Sequence, residues 1–254
     1  MRTIAFLTQK GGAGKTTLAA SLAVAAAGAG EKVVALDFDP QGSLANWGKR
    51  RQAAKTANTL IVEPFEVYRL SRLPTIVDGL AGAGFTLAVF DTPGADSGTV
   101  RLVAETADLC LLPARPTLLD IEATTATFRA VHLAKRRAAF VLNQCPATPR
   151  SARASDAAKE LSRLGVLAEP MVTARIDFQD AVAAGLGVTE HASDGRAAQE
   201  IEALWHWIRT ELDATEREAP VQIGESARPV GLRERLATIA QATPFGSLGV
   251  PNER

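Results

Sequence analysis

With 28 lysines and arginines set against 28 aspartates and glutamates, the chain carries no formal net charge. Whole-molecule electrostatics therefore does not drive it onto nucleic acid, and any such binding must use a local patch. Only two cysteines occur, Cys110 and Cys145, each in apolar surroundings ("DLCLLP" and "FVLNQCP"). They read as reduced core thiols of a cytosolic protein rather than as a disulfide. His132, His191 and His206 are scattered, without zinc-type spacing to cysteine or carboxylate partners. No apolar run approaches the roughly 18 residues of a membrane span. The N-terminus shows no signal-peptide pattern and goes straight into a strand. No internal repeat is visible.

The 254 residues, 46% of them hydrophobic, have material for one large α/β domain or two small ones. Apolar strand-like runs ("KVVALDFD", "TLIVEPFEV", "FTLAVFD", "ADLCLLPA", "AAFVLNQ", "VLAEPMV") are separated by helical stretches such as "SLANWGKRRQAAK", "DIEATTATFRAVHLAKR" and "ARASDAAKELSRL". That order implies an α/β fold with a doubly wound, mostly parallel sheet and right-handed crossovers. Ligands then gather at the carboxyl ends of the strands. A closing helix is expected over residues 200–212, carrying Trp205 and Trp207. Beyond it the chain is polar and broken by Pro220, Pro229, Pro244 and Pro251. The sequence thus divides into a domain over 1–213 and a tail over 214–254, the tail disordered apart from a short helix around 232–240.

The stretch "TQKGGAGKTT", Thr8 to Thr17, lies between the first strand and a long Ala/Leu/Val helix. Gly11, Gly12 and Gly14 permit backbone torsions that let consecutive amides turn inward around a phosphate. The following helix adds its N-terminal dipole. Lys15 is spaced to reach the outer phosphates and the Thr16 hydroxyl to ligate magnesium. A plain glycine turn between strand and helix would not need Gly-Lys-Thr-Thr together. Lys10 is the oddity, because an ordinary phosphate loop has no use for a cation at the start of its glycine run.

Two acidic strand ends complete the pattern. "VVALDFDPQGS" ends on Asp37 and Asp39, and "LAVFDTPG" on Asp91. A carboxylate just past a buried strand is placed to hold a magnesium-bound water, as Asp91 would be. Each acid also suits a helix or turn cap. Asp37 reads as the one that only orients its neighbours.

These segments resemble the ParA/MinD family of ATPases over residues 1–212. "KGGAGKTT" is similar to the family's deviant Walker A motif, "LDFDPQGS" to its switch I, and "FDTPG" to its Walker B and switch II. "DLCLLPARPTLLDIEAT" and "FVLNQCP" also look like family segments. The resemblance implies a P-loop NTPase fold, ATP and Mg2+ as cofactors, and an ATP-sandwich homodimer. In it Lys10 reaches the partner's phosphates. It gives Gly11, Gly12, Ala13, Gly14 and Lys15 as the phosphate cradle, and Thr17 as a contact to the inner phosphates. Thr16, Asp39 and Asp91 serve the metal and water, Asp39 positioning the attacking water and acting in catalysis with Lys10 and Lys15. Asn143 and the pair Pro170 and Met171 stand as adenine neighbours, with Asn143 equally readable as a strand-end turn residue.

Three functions compete. A small ParA-type ATPase would bind double-stranded DNA non-specifically, sit on a bacterial nucleoid, and position a cargo until a ParB-like or adaptor protein triggers hydrolysis. A MinD-like protein would need a basic amphipathic helix at the C-terminus, and "VGLRERLATIAQ" has few cations and no Phe or Trp on its apolar side. A nucleotide-binding scaffold with little turnover would be expected to lack one of Lys15, Thr16, Asp39 or Asp91. The basic clusters Lys49-Arg50-Arg51 and Lys135-Arg136-Arg137, and residues Arg150, Arg153, Lys159, Arg163, Arg175 and Arg196, read either as solvated helix faces or as a DNA patch. The DNA reading rests on Arg150, Arg153, Arg163, Arg175 and Arg196. The loop strand begins at residue 3, so an N-terminal helix-turn-helix is not expected.

Overall fold

In β1 (Arg2–Phe6) the side chains Ile4 and Phe6 enter one apolar cluster, while Ala5 enters the other. The same alternation runs through β2 (Val33–Asp37), β4 (Leu87–Asp91), β5 (Leu109–Ala114) and β6 (Ala138–Leu142). Successive strand residues point to opposite faces, so a strand apolar on both must be covered on both. The computed structural model describes residues 1–56, 60–94, 97–148 and 151–218. Its sheet has seven strands in the order β3-β2-β4-β1-β5-β6-β7, every pairing parallel. β3 (Ile61–Pro64) and β7 (Val166–Leu167) are the edges. The expectation of a mostly parallel sheet becomes an entirely parallel one.

One face is covered by α1 (Lys15–Gly28), α2 (Ser43–Ala54), α7 (Asp177–Ala183), α8 (Val188–His191) and α9 (Arg196–Glu218). The other carries α3 (Leu73–Gly82), α4 (Ser97–Thr106), α5 (Leu118–Leu133) and α6 (Ala152–Leu164). A short 3-10 helix, Val67–Arg72, precedes α3. α1 is buried from Leu18 to Ala26 because it runs between the sheet and α9. Each fully buried Leu or Val there contributes about 1.5–3 kcal/mol relative to exposure.

Two expectations shift. In "VLAEPMV" the strand itself is only Val166 and Leu167, and beyond it the amides of Ala168 and Val172 donate singly to the Phe140 and Leu142 carbonyls at 2.8 and 2.9 Å. The chain meets the sheet again at a single bridge, Cys145 to Thr173. The closing helix begins at Arg196 and continues to Glu218, past the expected boundary at 213. The tail from residue 219 on, with its expected helix around 232–240, lies outside the described residues. Both cysteines are free and buried, and burial pushes their thiols up to about 12 for Cys110 and about 11 for Cys145. Among the described residues no helix is long and apolar enough to cross a membrane, and no His/Cys/Asp/Glu group is arranged to hold a metal by itself.

The chain leaves β1 towards β2 on one side, and after β4 returns to place β5 on the other. The carboxyl end of β1 is therefore the point where the winding reverses, and a crevice opens there. In register, Phe6 lies beside Asp91, and Asp91 beside Asp37. The strand-end acids and the phosphate loop share one level of the sheet.

Candidate phosphate site

The loop runs from the end of β1 into the first turn of α1. Gly14 takes φ 89°, and a Cβ on it would stand 2.4 Å from Asn143 Nδ2. Only glycine meets both conditions. Asn143 donates from Nδ2 to the Ala13 carbonyl at 2.8 Å, and Gln144 from Nε2 to the Gly12 carbonyl at 2.9 Å. Holding those carbonyls on the outside leaves the loop amides free to turn inward. Asn143 thus braces the loop while also lining the adjacent cavity.

A cavity of about 730 Å³ opens over the loop, lined by Gly11 to Thr17, Ala13 excepted, and by Asp39, Gln41 and Gly94. Lys15 is buried, and that burial lowers its pKa against the pull of Asp91 and Asp39. Thr16 Oγ1 donates to Asp91 Oδ2 at 2.6 Å. Asp91 is completely buried, which raises its carboxyl to about 7, and its Oδ1 has no hydrogen-bond partner among the described residues. A buried carboxylate oxygen with nothing to bond beside a threonine hydroxyl fits the requirement of a magnesium ion that keeps several waters. Thr16 would ligate the ion and Asp91 would hold its water shell. When bound, it would neutralise charge on the outer phosphates.

Asp39 also lines this cavity. Its Oδ1 accepts from the Gln41 amide at 2.9 Å, and its Oδ2 has no hydrogen bond among the described residues. Asp37 is buried and spends both oxygens on backbone amides, Asp39 at 3.0 Å and Ala45 at 2.8 Å. Burial is the main cause of its raised pKa. It anchors the turn that carries Asp39 to the start of α2, the orienting role its position in "LDFDPQ" suggested.

Next to the phosphate cavity is a second, of about 640 Å³, which shares Gly14 and Thr17 with it. Asn143, Gln144, Arg175, Phe178 and Val182 line it. Its size and position suit a nucleoside. Pro170 and Met171 do not border it; the chain enters its wall only at Thr173.

Lys10 does not line the phosphate cavity. Its Nζ lies 2.9 Å from Asp120 Oδ2, and Arg115 Nε lies 3.0 Å from Asp120 Oδ1. Asp120 is 2% exposed and sits in the first turn of α5, which Thr117 caps. Burial raises the Asp120 pKa, but the bonds from Arg115, Thr117 and Lys10 outweigh it and hold the carboxyl below its ordinary value. Neither Asp120 nor Arg115 nor Gln144 was expected at the site. The Thr-x-x-Asp spacing of Thr117 and Asp120 is a legible helix-start signal, but not one that points to Lys10.

The basic residues divide. Arg153, Arg163 and Arg196 are exposed, though Arg163 pairs with Glu160 at 3.4 Å. Arg175 is held by Glu200 at 2.7 Å at the edge of the second cavity. Arg150 lies outside the described residues. In the cluster Lys49-Arg50-Arg51 the first two residues are exposed and the third is not. Arg51 is 3% exposed and grips both oxygens of Glu190, at 2.7 and 2.8 Å, while Arg50 donates to the Val182 carbonyl.

Comparison with known proteins agrees with this geometry. The chain is 34% identical over 216 residues to the maintenance of carboxysome distribution protein A of Gloeobacter kilaueensis, covering 84% of this chain and 94% of that one. An ATP complex of Cyanothece McdA superposes with a TM-score of 0.66 at 15% identity, over 89% of this chain and 99% of that one. The Mg-ADP complex of the septum site-determining protein MinD of Pyrococcus horikoshii gives 0.65 at 18% identity, over 87% and 99%. Residues 4–188 match the model of the CobQ/CobB/MinD/ParA nucleotide binding domain, and the chain belongs to that family.

Proposed function

We propose that this protein is a magnesium-dependent ATP hydrolase of the ParA type, which closes into a homodimer around ATP and positions a cargo. The observation that carries the reading is the division of labour between the two loop lysines. Lys15 lines the phosphate cavity, while Lys10 is turned away from it onto Asp120. A cation so placed is of no use to its own phosphates, but is available to a second nucleotide presented by a second copy. Two triphosphates buried face to face demand extra positive charge, and a lysine from the opposite protomer couples closure to ATP.

In hydrolysis a water oxygen attacks the γ-phosphorus and the bond to the β-bridging oxygen breaks, giving ADP and phosphate. This in-line displacement asks the protein mainly for positioning and charge. Asp39 orients the water, and the loop amides with Lys15 hold the phosphates. The second cavity, beside Gly14 and Thr17, takes the nucleoside, and the ATP and Mg-ADP complexes of relatives support that choice of ligand. In the ATP state the dimer binds duplex DNA without sequence preference through exposed arginines including Arg153, Arg163 and Arg196. A ParB-like or adaptor partner stimulates turnover. The cargo is a plasmid, a chromosome or a protein assembly, the last being the class named for the Gloeobacter relative.

The test is sedimentation of wild type and Lys10→Ala with ATP, ADP or no nucleotide. Wild type should dimerise with ATP alone. Lys10→Ala should keep ATP binding through the intact loop but remain monomeric and without turnover. Normal ATP dimerisation of that variant would overturn the role given to Lys10.

A further inference from the structure

One buried carboxylate, Asp120, is shared by two cations. Lys10 occupies Oδ2 and Arg115 occupies Oδ1. Thr117 Oγ1 also donates to Oδ2, at 2.5 Å. Asp120 is 2% exposed, so its charge has almost no help from water. Removing the only partner of such a group is strongly unfavourable, because an uncompensated charge is left inside. A carboxylate needs one cation to be neutralised, and here it has two.

The two are not equivalent in reach. Lys10 opens the glycine run on a flexible four-carbon stem, and its ammonium is a point charge that moves easily between acceptors. Arg115 directly follows β5 and precedes the Thr117 cap, so its backbone is held between sheet and helix start. Its guanidinium also flanks the loop: a Cβ on Gly12 would lie 3.9 Å from Arg115 Nη1. Arg115 can therefore remain on Asp120 whatever Lys10 does.

We infer that Arg115 is the counter-ion that releases Lys10: by compensating the charge of Asp120, it lets the lysine leave for the phosphates of a partner-bound nucleotide. Arg115 is then a positioning residue, acting through Asp120 and Lys10 rather than on the nucleotide. The inference rests on the reading that Lys10 serves the opposite protomer. Without Arg115 the lysine becomes the one cation that pairs with a buried carboxylate among the described residues, and dimerisation must compete with that pair.

The experiment measures ATP-dependent dimerisation by sedimentation, with ATP affinity of the monomer measured separately using a fluorescent ATP analogue. Arg115→Gln should bind the analogue as wild type does but dimerise about tenfold or more weakly, the size of coupling expected when an internal contact competes with binding. Arg115→Lys should recover much of the loss. Arg115→Gln combined with Asp120→Asn should dimerise at least as well as wild type, because nothing then holds Lys10. If Arg115→Gln dimerises normally while Lys10→Ala does not, this inference fails and the role of Lys10 stands. If Lys10→Ala dimerises normally, the underlying reading has failed instead. A double variant as defective as Arg115→Gln alone would put Arg115 on the anion itself and overturn the relay. Should Asp120→Asn not fold, the Arg115→Lys comparison still decides whether charge at that position is what matters: no recovery overturns the proposal.

Discussion

Thr16 Oγ1 donates to Asp91 Oδ2 across 2.6 Å, joining the first turn of α1 to the last residue of β4, and among the described residues the second oxygen of Asp91 is left without a partner. A fully buried acid with half its bonding capacity unused is the part of the site most in need of a metal-bound water. Thr16→Ala removes the one hydrogen bond that the Asp91 carboxyl has among the described residues. Leaving that group unsatisfied should destabilise the nucleotide-free protein by about 1–3 kcal/mol. The same variant should lose roughly tenfold to a hundredfold in magnesium affinity in the presence of ATP. Thermal melts with ATP, with and without magnesium or a chelator, check both parts. Equal magnesium-dependent stabilisation of variant and wild type would remove Thr16 from the metal site.

Asp39 has a different standing, because among the described residues its side chain has one hydrogen bond, accepted from the Gln41 amide. Asp39→Ala should therefore change stability by less than about 1 kcal/mol. Turnover should fall by about a hundredfold or more, the usual range for loss of a positioned group that moves a proton or orients a nucleophile. ATP binding and dimerisation should survive, so the variant should accumulate as an ATP-bound dimer. Phosphate release and size-exclusion on one sample distinguish this from a simple binding defect. Wild-type turnover would take Asp39 out of the reaction.

Glu200 supplies a pH test away from the phosphates. Burial pushes its pKa up, but the bonds from Arg175 and from the Thr173 amide and hydroxyl outweigh it, so the folded value lies below the ordinary one. A carboxyl depressed on folding stabilises the protein above its unfolded pKa, and that stability is lost as pH falls through the folded value. Glu200→Gln should be less stable by about 1–2 kcal/mol near neutrality and should converge with wild type in acid. Denaturant melts from neutral pH downward give both curves. Parallel curves at every pH would show that the charge of Glu200 is not what holds Arg175 at the cavity edge.

What could be read from the sequence is what lies close together along it. Gly11, Gly12, Gly14, Lys15 and Thr16 are contiguous, and the strand ends at Asp39 and Asp91 announce themselves by apolar runs that stop on acids. The order of strand-like and helical runs already implied a doubly wound sheet, and the structure shows it covered on both faces. Contacts formed across the chain were not legible. Asp120 meets Lys10 over 110 residues, Gln144 meets Gly12 over 132, and Arg51 meets Glu190 over 139. A run such as Lys49-Arg50-Arg51 has the same composition whether it faces water or is drawn inward by a distant acid. The partner alone decides, and the sequence does not say where the partner will be.

The DNA prediction changes once α6 is seen in three dimensions. Arg163 and Lys159 stand against Glu160 and Asp156, at 3.4 and 3.7 Å, so the helix presents interleaved signs rather than a bare cationic stripe. Those pairs are exposed, and each is worth at most about 1 kcal/mol. A phosphate backbone can compete for such arginines, but one subunit with zero net charge has little to offer it at physiological salt. An ATP dimer doubles the cationic contacts on one rigid body, and counterion release scales with their total number. Binding to unrelated duplexes should therefore require ATP and weaken steeply as salt rises. Reversing Arg153 and Arg163 to glutamate should reduce both affinity and the salt slope without preventing ATP dimerisation. Lys10→Ala should abolish binding by another route, through loss of the dimer. Anisotropy titrations of two unrelated duplexes with ATP, ADP or no nucleotide, at several salt concentrations, carry the decision. Equal affinity in all three nucleotide states, or a slope that the double reversal leaves untouched, would place any DNA contact elsewhere on the molecule.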